Sequence, residues 1–361
     1  MLPWAGPRYN HLNFSAPHST FSPIRCLHTI SMPYARLAGV GHYVPSRVVT
    51  NHELATYMDT SDAWIQERTG IRERRWYAQG QDTVAGMGTA AARQALERAG
   101  LQPADVDFIV FCTITPDYYF PGGGVLLGRD LGLVGVGALD IRNQCSAFVY
   151  GLSVADQYVR SGMYKCVLVV GSEIQSSLLD LSDRGRSVSV IFGDGAGAAV
   201  VTASDRPGIL STHLHADGRY AEELYVREPS SSGGHRRYVE MQGDEGTWAH
   251  MNGNAVFKHA VQQFPAAVRE ALAANGKTVE ELDLLVPHQA NLRISQYIAQ
   301  ELGLPAAKVV SNIEHYGNTT AASIPIALSE AWEQGRVHEG DLICLAAFGS
   351  GFTWGSALLY W

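Results

Sequence analysis

The sequence predicts an α/β protein built from two similar halves, each a set of strands joined by crossover helices. Three observations predict it. From Arg36 onward, glycine-bounded apolar runs alternate with alanine-rich helical runs, the pattern of parallel β/α architecture. The 361 residues, 46% of them hydrophobic, suffice for two domains or one large duplicated one. The chain also echoes itself: "AARQALERAG" followed by "LQPADVDFIVF" returns as "AVREALAANG" followed by "KTVEELDLLVP".

Taken in order, the first segment is "MLPWAGPRYNHLNFSAPHSTFSPIRCLHTIS", rich in proline, serine and histidine without periodicity, and Met32 directly follows it. It lacks the contiguous apolar stretch of a secretory signal. The expectation is a disordered or mis-assigned extension over 1–31, a first half over 32–206 and a second over 207–361. Within each half a helix closed by glycine (Gly100, Gly276) precedes a buried strand. The register continues: "GRDLGL" is echoed by "AQELGL", "VLVV" by "ICLA", and "FGDGAGAAVV" by "FGSGFTWGSALL". The last pair is out of step by about 20 residues, so the first half carries an insertion between Gly171 and Phe192.

Composition excludes several classes. A net charge of -8 argues against nucleic-acid binding. Five cysteines (Cys26, Cys112, Cys145, Cys166, Cys344) without C-x-x-C spacing indicate neither a disulfide framework nor zinc, and point to the cytoplasm. No apolar run is long enough to span a membrane. "GDGAG" and "FGSGF" lack a phosphate-loop pattern and read as tight turns, and "HLH" at His213–His215 has no third ligand beside it.

The repeat also locates a site. Cys145 and Asn318 fall at corresponding strand-to-helix junctions, and His288 follows another strand, in "VPHQANLRI". Strand C-terminal ends are where α/β sheets bind ligands, and a helix N-terminus favours the thiolate and offers N–H groups to an oxyanion. A lone buried cysteine, a lone histidine or an N-cap asparagine would each be ordinary. Together at one seam they point to nucleophilic catalysis.

From about Tyr34 to Trp361 the chain resembles β-ketoacyl-acyl-carrier-protein synthase III of the thiolase superfamily. The motifs are "DTSDAWIQERTGIRERR", "LSVADQYVRSG", "FGDGAGAAV", "STHLHADG", "VPHQANLRI", "HYGNTTAAS" and "AFGSGFTWGSA". The resemblance implies a thiolase-like αβαβα layered fold, a homodimer, and a Cys145–His288–Asn318 triad with the backbone N–H groups of Cys145 and Ser350 as oxyanion hole. It implies no permanently bound cofactor and no metal. Its substrates would be a coenzyme A thioester, which acylates Cys145, and malonyl-acyl carrier protein, whose decarboxylation His288 and Asn318 would assist.

For coenzyme A, Ser61 is placed to cap a helix on which Trp64 and Arg68 share a face. The resemblance carries over Thr60, Trp64 and Arg68 at the adenine end, and Arg184 and Gly185 from the insertion. It also carries over Asn254, Phe257, Ala290, Asn291 and Arg293 along the pantetheine tunnel or at its mouth. Phe120 would reach the partner's acyl pocket, and Lys258 and Arg293 would meet the carrier protein. Departures from the family pattern are "RNQ" before Cys145, Ala147 and Ser350 in place of glycine, and Gln300 and Glu301 where basic residues are common. They cluster at the acyl pocket and the carrier mouth and suggest a primer other than acetyl. Rival readings are condensation of acyl-CoAs without carrier protein, acyl transfer to oxygen or nitrogen, and a non-catalytic acyl-CoA-binding subunit. A thiolase reading lacks its second cysteine, because Cys344 sits inside a strand-like run.

Overall fold

The computed structural model describes residues 33–227, 229–230 and 247–361; the expected extension over 1–31 lies outside them. Five strands form a first sheet: β1 (Tyr34–Tyr43), β2 (Phe108–Cys112), β3 (Gly137–Ile141), β4 (Cys166–Glu173) and β5 (Gly195–Ser204), in the order β1-β5-β4-β2-β3. Four form a second: β6 (Ile209–Ala216), β7 (Leu284–Pro287), β8 (Leu342–Gly349) and β9 (Thr353–Tyr360), in the order β7-β8-β9-β6.

The two sheets repeat one topology. β1/β5 and β5/β4 are antiparallel while β4/β2 and β2/β3 are parallel. β6/β9 and β9/β8 are antiparallel, β8/β7 is parallel, and a parallel bridge from Leu285 to Val309 stands where β3 would be. The chain passes from one sheet to the other between Ser204 and Ile209.

The helices α1 (Val84–Ala99), α2 (Gly123–Asp130), α3 (Ala147–Arg160), α4 (Gly253–Ala274), α5 (Leu292–Leu302) and α6 (Ser323–Glu333) complete five layers. One face of the first sheet, including Ile109, Phe111, Leu168 and Val170, packs on α1 and α2. Its other face, with Val110 and Val169, shares a core with α3, α6 and the inner residues Val286, Ile343 and Leu345 of the second sheet. The outer residues Leu285, Cys344 and Phe348 pack on α4 and α5. Central strands therefore read as continuous apolar runs, since both faces are covered.

Both middle-layer helices begin in the same way. A single 3-10 turn, Gln144–Ser146 or Thr320–Ala322, leads into α3 or α6. The first residue of each turn has positive φ, 47° at Gln144 and 51° at Thr320, a costly conformation for residues with a Cβ. This aligns Cys145 with Ala321. Asn318 thus shares the junction with Cys145 but lies three residues earlier in register, which corrects the equivalence read from the sequence. The turn geometry, not the spacing of the apolar pattern, sets the alignment.

Each turn inserts against a strand of the opposite half. A Cβ on Gly171 of β4 would lie 2.3 Å from the Ala321 carbonyl oxygen, and one on Gly349 of β8 would lie 2.6 Å from the Cys145 Cβ. Backbone cannot yield as a flexible side chain can. Gly171→Ala should destabilise the protein by about 1–3 kcal/mol, the usual cost of overpacking, read as a lower urea midpoint. Gly218→Ala, where no atom lies within 4 Å of the added Cβ, should stay within about 0.5 kcal/mol of the parent; equal losses in both would refute the seam as the cause.

Candidate active site

Cys145 sits in the turn ahead of α3 and is 7% exposed. Burial pushes its thiol up to about 12, and the nearby Glu173 carboxyl adds to the rise. The backbone N–H groups of Cys145 and Ser350 donate to the sulfur and oppose that rise. The helix N-terminus was expected to favour the thiolate; in the resting site desolvation outweighs it. Ser350 does not take the positive φ that would strain it, because Gly351 does, at 131°. The Ser350 hydroxyl donates to the Leu224 carbonyl.

A tunnel of about 120 Å³ reaches Cys145 past Phe257, Ala290 and Asn291, with His288 and Asn318 on its wall. Three chain segments thus bring the expected triad together. His288 is 1% exposed, and burial holds its imidazole down to about 3, so it is neutral at physiological pH. Its Nδ1 meets Ser323 Oγ at 2.6 Å, while Nε2 has no partner. The Gln289 N–H donates to the same hydroxyl oxygen at 3.4 Å. With the Ser323 O–H donating to Nδ1, the ring proton would sit on Nε2, the nitrogen that has no partner. Asn318 Oδ1 accepts the Thr320 N–H at 2.8 Å, so its NH2 is the end left to donate.

Glu173 is buried beside this group. Its carboxyl accepts from the Thr115 hydroxyl at 2.6 Å, the Thr113 hydroxyl at 3.1 Å and the Ile114 N–H at 3.2 Å, as well as from the Ala321 N–H. Burial still raises it to about 7. Neither Ser323 nor Glu173 carried a sequence signal. Each is an ordinary residue in an apolar run, and only the fold sets it against the triad.

At the outer end, Ser61 accepts the Trp64 N–H and starts the helix Asp62–Thr69 as expected. The Arg68 guanidinium lies 4.7 Å from the Trp64 ring centroid. Arg186, which the sequence reading passed over, lies 5.0 Å from the same ring. Arg184 instead bonds Asp180 at 2.6 Å, and Gly185 caps the short helix Arg186–Ser189. Thr60 Oγ1 is buried without a partner. Asn291 caps α5 through the Arg293 N–H and donates to the Arg68 carbonyl at 2.9 Å, which ties the tunnel to the Trp64 helix.

Asn254 is exposed and does not line the tunnel, whereas its neighbours Gly253, Val256 and Phe257 do. Lys258 and Arg293 are exposed near the mouth, and Glu301 is paired with Arg269. Phe120 is 81% exposed and touches neither the tunnel nor the space behind Cys145. A larger groove of about 480 Å³, beside Arg98, Arg206 and Trp332, holds none of the expected residues. Two of its cations are paired, Arg98 with Glu333 and Arg206 with Glu339.

Two family models match the chain: 3-oxoacyl-[acyl-carrier-protein] synthase III over residues 139–218, and its C-terminal model over residues 272–361. A β-ketoacyl-[acyl-carrier-protein] synthase III from Xanthomonas campestris pv. campestris is 49% identical over 326 residues, 90% of this chain and 98% of that protein. The one from Alkalilimnicola ehrlichii is 48% identical over 91% of this chain and 99% of its own length. The crystal structure of the Aquifex aeolicus 3-oxoacyl-[acyl-carrier-protein] synthase III aligns with a TM-score of 0.83 at 43% identity, covering 91% of this chain and 100% of that one. Matched in sequence and in fold along nearly its whole length, the chain belongs to the β-ketoacyl-acyl-carrier-protein synthase III family.

Proposed function

We propose that this protein is a decarboxylating condensing enzyme that loads an acyl group from coenzyme A onto Cys145 and transfers it to the carbon of malonyl-acyl carrier protein. The observation that carries the reading is the meeting of Cys145, His288 and Asn318 on one tunnel. The substrate is a coenzyme A thioester, with no permanently bound cofactor.

In the first half-reaction, Cys145 Sγ attacks the thioester carbonyl. The N–H groups of Cys145 and Ser350 hold the oxyanion, and the thiol proton leaves with the departing coenzyme A thiol. In the second, the malonyl carboxylate departs as carbon dioxide and the bond electrons form a thioester enolate. His288 Nε2–H and the Asn318 NH2 donate to the enolate oxygen. The enolate carbon attacks the acyl-cysteine, the C–S bond breaks, and the Cys145 thiolate recovers a proton from solvent. Two neutral donors suit this step, since neither delivers its proton to the carbon that must form the new bond.

Trp64 with Arg68 and Arg186 offers a ring and cations to the nucleotide end. Lys258 and Arg293 offer positive charge to an acidic carrier protein. For the homodimer, the support is the uncovered edge strand β3 with exposed Leu139, and the exposed Tyr119, Phe120 and Val134, an apolar patch of the kind a partner covers. Phe120 would then serve the partner's site. Among the described residues the four cysteines are free, in keeping with the cytoplasm. Among the described residues no helix is long and apolar enough to cross a membrane.

Cys145→Ala should gain no acyl mass from any acyl-CoA while still binding coenzyme A; intact-mass measurement and calorimetry check both, and retained turnover would relocate the nucleophile. Asn318→Ala should still acylate, yet release carbon dioxide from malonyl-carrier protein at least about 100-fold more slowly, the scale of a lost oxyanion donor. Removing the Glu173 charge in Glu173→Gln should speed iodoacetamide labelling of Cys145 several-fold at pH 8. Glu173 sits at about 7 folded against an ordinary 4.5, so the folded state binds more protons between those values and loses stability as pH rises through them. Urea midpoints of the Gln variant should be flatter across that window.

A further inference from the structure

Cys145 stands between two spaces. The tunnel brings a pantetheine arm to its sulfur on one side. On the other lies a cavity of about 350 Å³ that also touches Cys145. An acyl group on Sγ must extend into this second space, because the tunnel is taken by the arm that delivered it.

Much of the lining, including Ile114, Leu178, Phe192, Leu224 and Val226, suits methylene groups. The lining also carries the polar residues Arg142, Gln144, Gln175 and Thr320. Gln175 is 5% exposed and Thr320 2% exposed, yet Gln175 Nε2 and Thr320 Oγ1 are buried without a hydrogen-bond partner. His288 Nε2, the atom placed to meet the thioester oxygen, is in the same condition. Buried polar atoms left unpaired are costly and rare, and they cluster where a ligand completes them. Arg142 is exposed and enters no ion pair, and no aspartate or glutamate lines the cavity, among the described residues. A wholly hydrocarbon acyl chain would leave every one of these groups unanswered. A terminal carboxylate has the chemistry to answer them, since its oxygens accept from a guanidinium, an amide N–H and a hydroxyl alike.

We propose that the cavity behind Cys145 is a terminus-binding site for an acyl-CoA whose acyl chain ends in a carboxylate, with Arg142 as its cation and Gln175 and Thr320 as donors. The inference rests on acylation of Cys145 and names the substrate class for that step. "RNQ", the departure just before the nucleophile, then has a role: Arg142 and Gln144 project polarity into the acyl space while Gln144 starts the turn.

The test is intact-mass kinetics on the full chain, with glutaryl-CoA and adipyl-CoA set against pentanoyl-CoA, hexanoyl-CoA and 3-hydroxyhexanoyl-CoA. Cys145 should be acylated at least tenfold faster by the carboxyacyl thioesters than by the hydrocarbon ones. In Arg142→Met and, independently, Gln175→Leu, that ratio should fall toward one. Faster loading of hexanoyl-CoA, a preference for the 3-hydroxy thioester, or an unchanged ratio in both variants overturns the carboxylate site while leaving Cys145 as the acylated residue. Acylation by none of the panel overturns both.

Discussion

The structure depends on a reciprocal contact at the seam of its two halves. The helix-starting turn of each half presses against a glycine in a strand of the other, Ala321 on Gly171 and Cys145 on Gly349. Neither position tolerates a Cβ at the observed spacing, so the halves approach until backbone meets backbone. That approach buries both turns and brings Asn318 to the tunnel wall with Cys145. It also lets a carboxyl from the end of β4, Glu173, accept the Ala321 N–H of the opposite turn. The active site is thus a consequence of how the halves lock, rather than a cleft added to a finished scaffold.

Burial at the seam has a single electrostatic effect expressed three times. It raises the Cys145 thiol, lowers the His288 imidazole and raises the Glu173 carboxyl, each toward its neutral form. A neutral nucleophile and neutral donors are well matched to chemistry whose charges appear on the reacting oxygens. Fixed N–H donors can then answer those charges without competition from water or from a resident cation. The same enclosure makes unpaired polar atoms at the tunnel and the cavity behind Cys145 informative, because such atoms are costly to leave without a partner.

The Trp64 end of the site is held by different physics. The short helix bearing Trp64 gains little from its own length, so it is fixed from outside. Arg74, which is wholly buried, donates to the carbonyls of Val49 and Val190 and to Asn51, joining the two-stranded antiparallel ribbon of Arg47–Thr50 and Glu73–Trp76 to the inserted segment. Asn51 donates in turn to Asp62 at the helix start. The insertion, which the repeat exposed as a break in register, therefore both braces the helix and delivers Arg186 to its tryptophan.

What the sequence determined by itself was everything encoded in local periodicity and in ordered motifs: the α/β class, the duplication, the capped Trp64 helix and the three triad residues. These were legible because burial on both faces, helix caps and strand-end motifs leave marks within ten or so residues. Tertiary structure decided the rest. Arg186 rather than Arg184 faces Trp64 because Asp180 claims Arg184 across one turn, and spacing alone does not choose between two arginines a residue apart. Asn254 is exposed and absent from the tunnel lining to which Phe257 belongs. Ser323 and Glu173 acquire their roles only when segments far apart in the chain meet. The thiol's pKa reversed the expectation from the helix dipole for the same reason: the dipole is local and readable, whereas desolvation is a property of all the atoms that close around the sulfur.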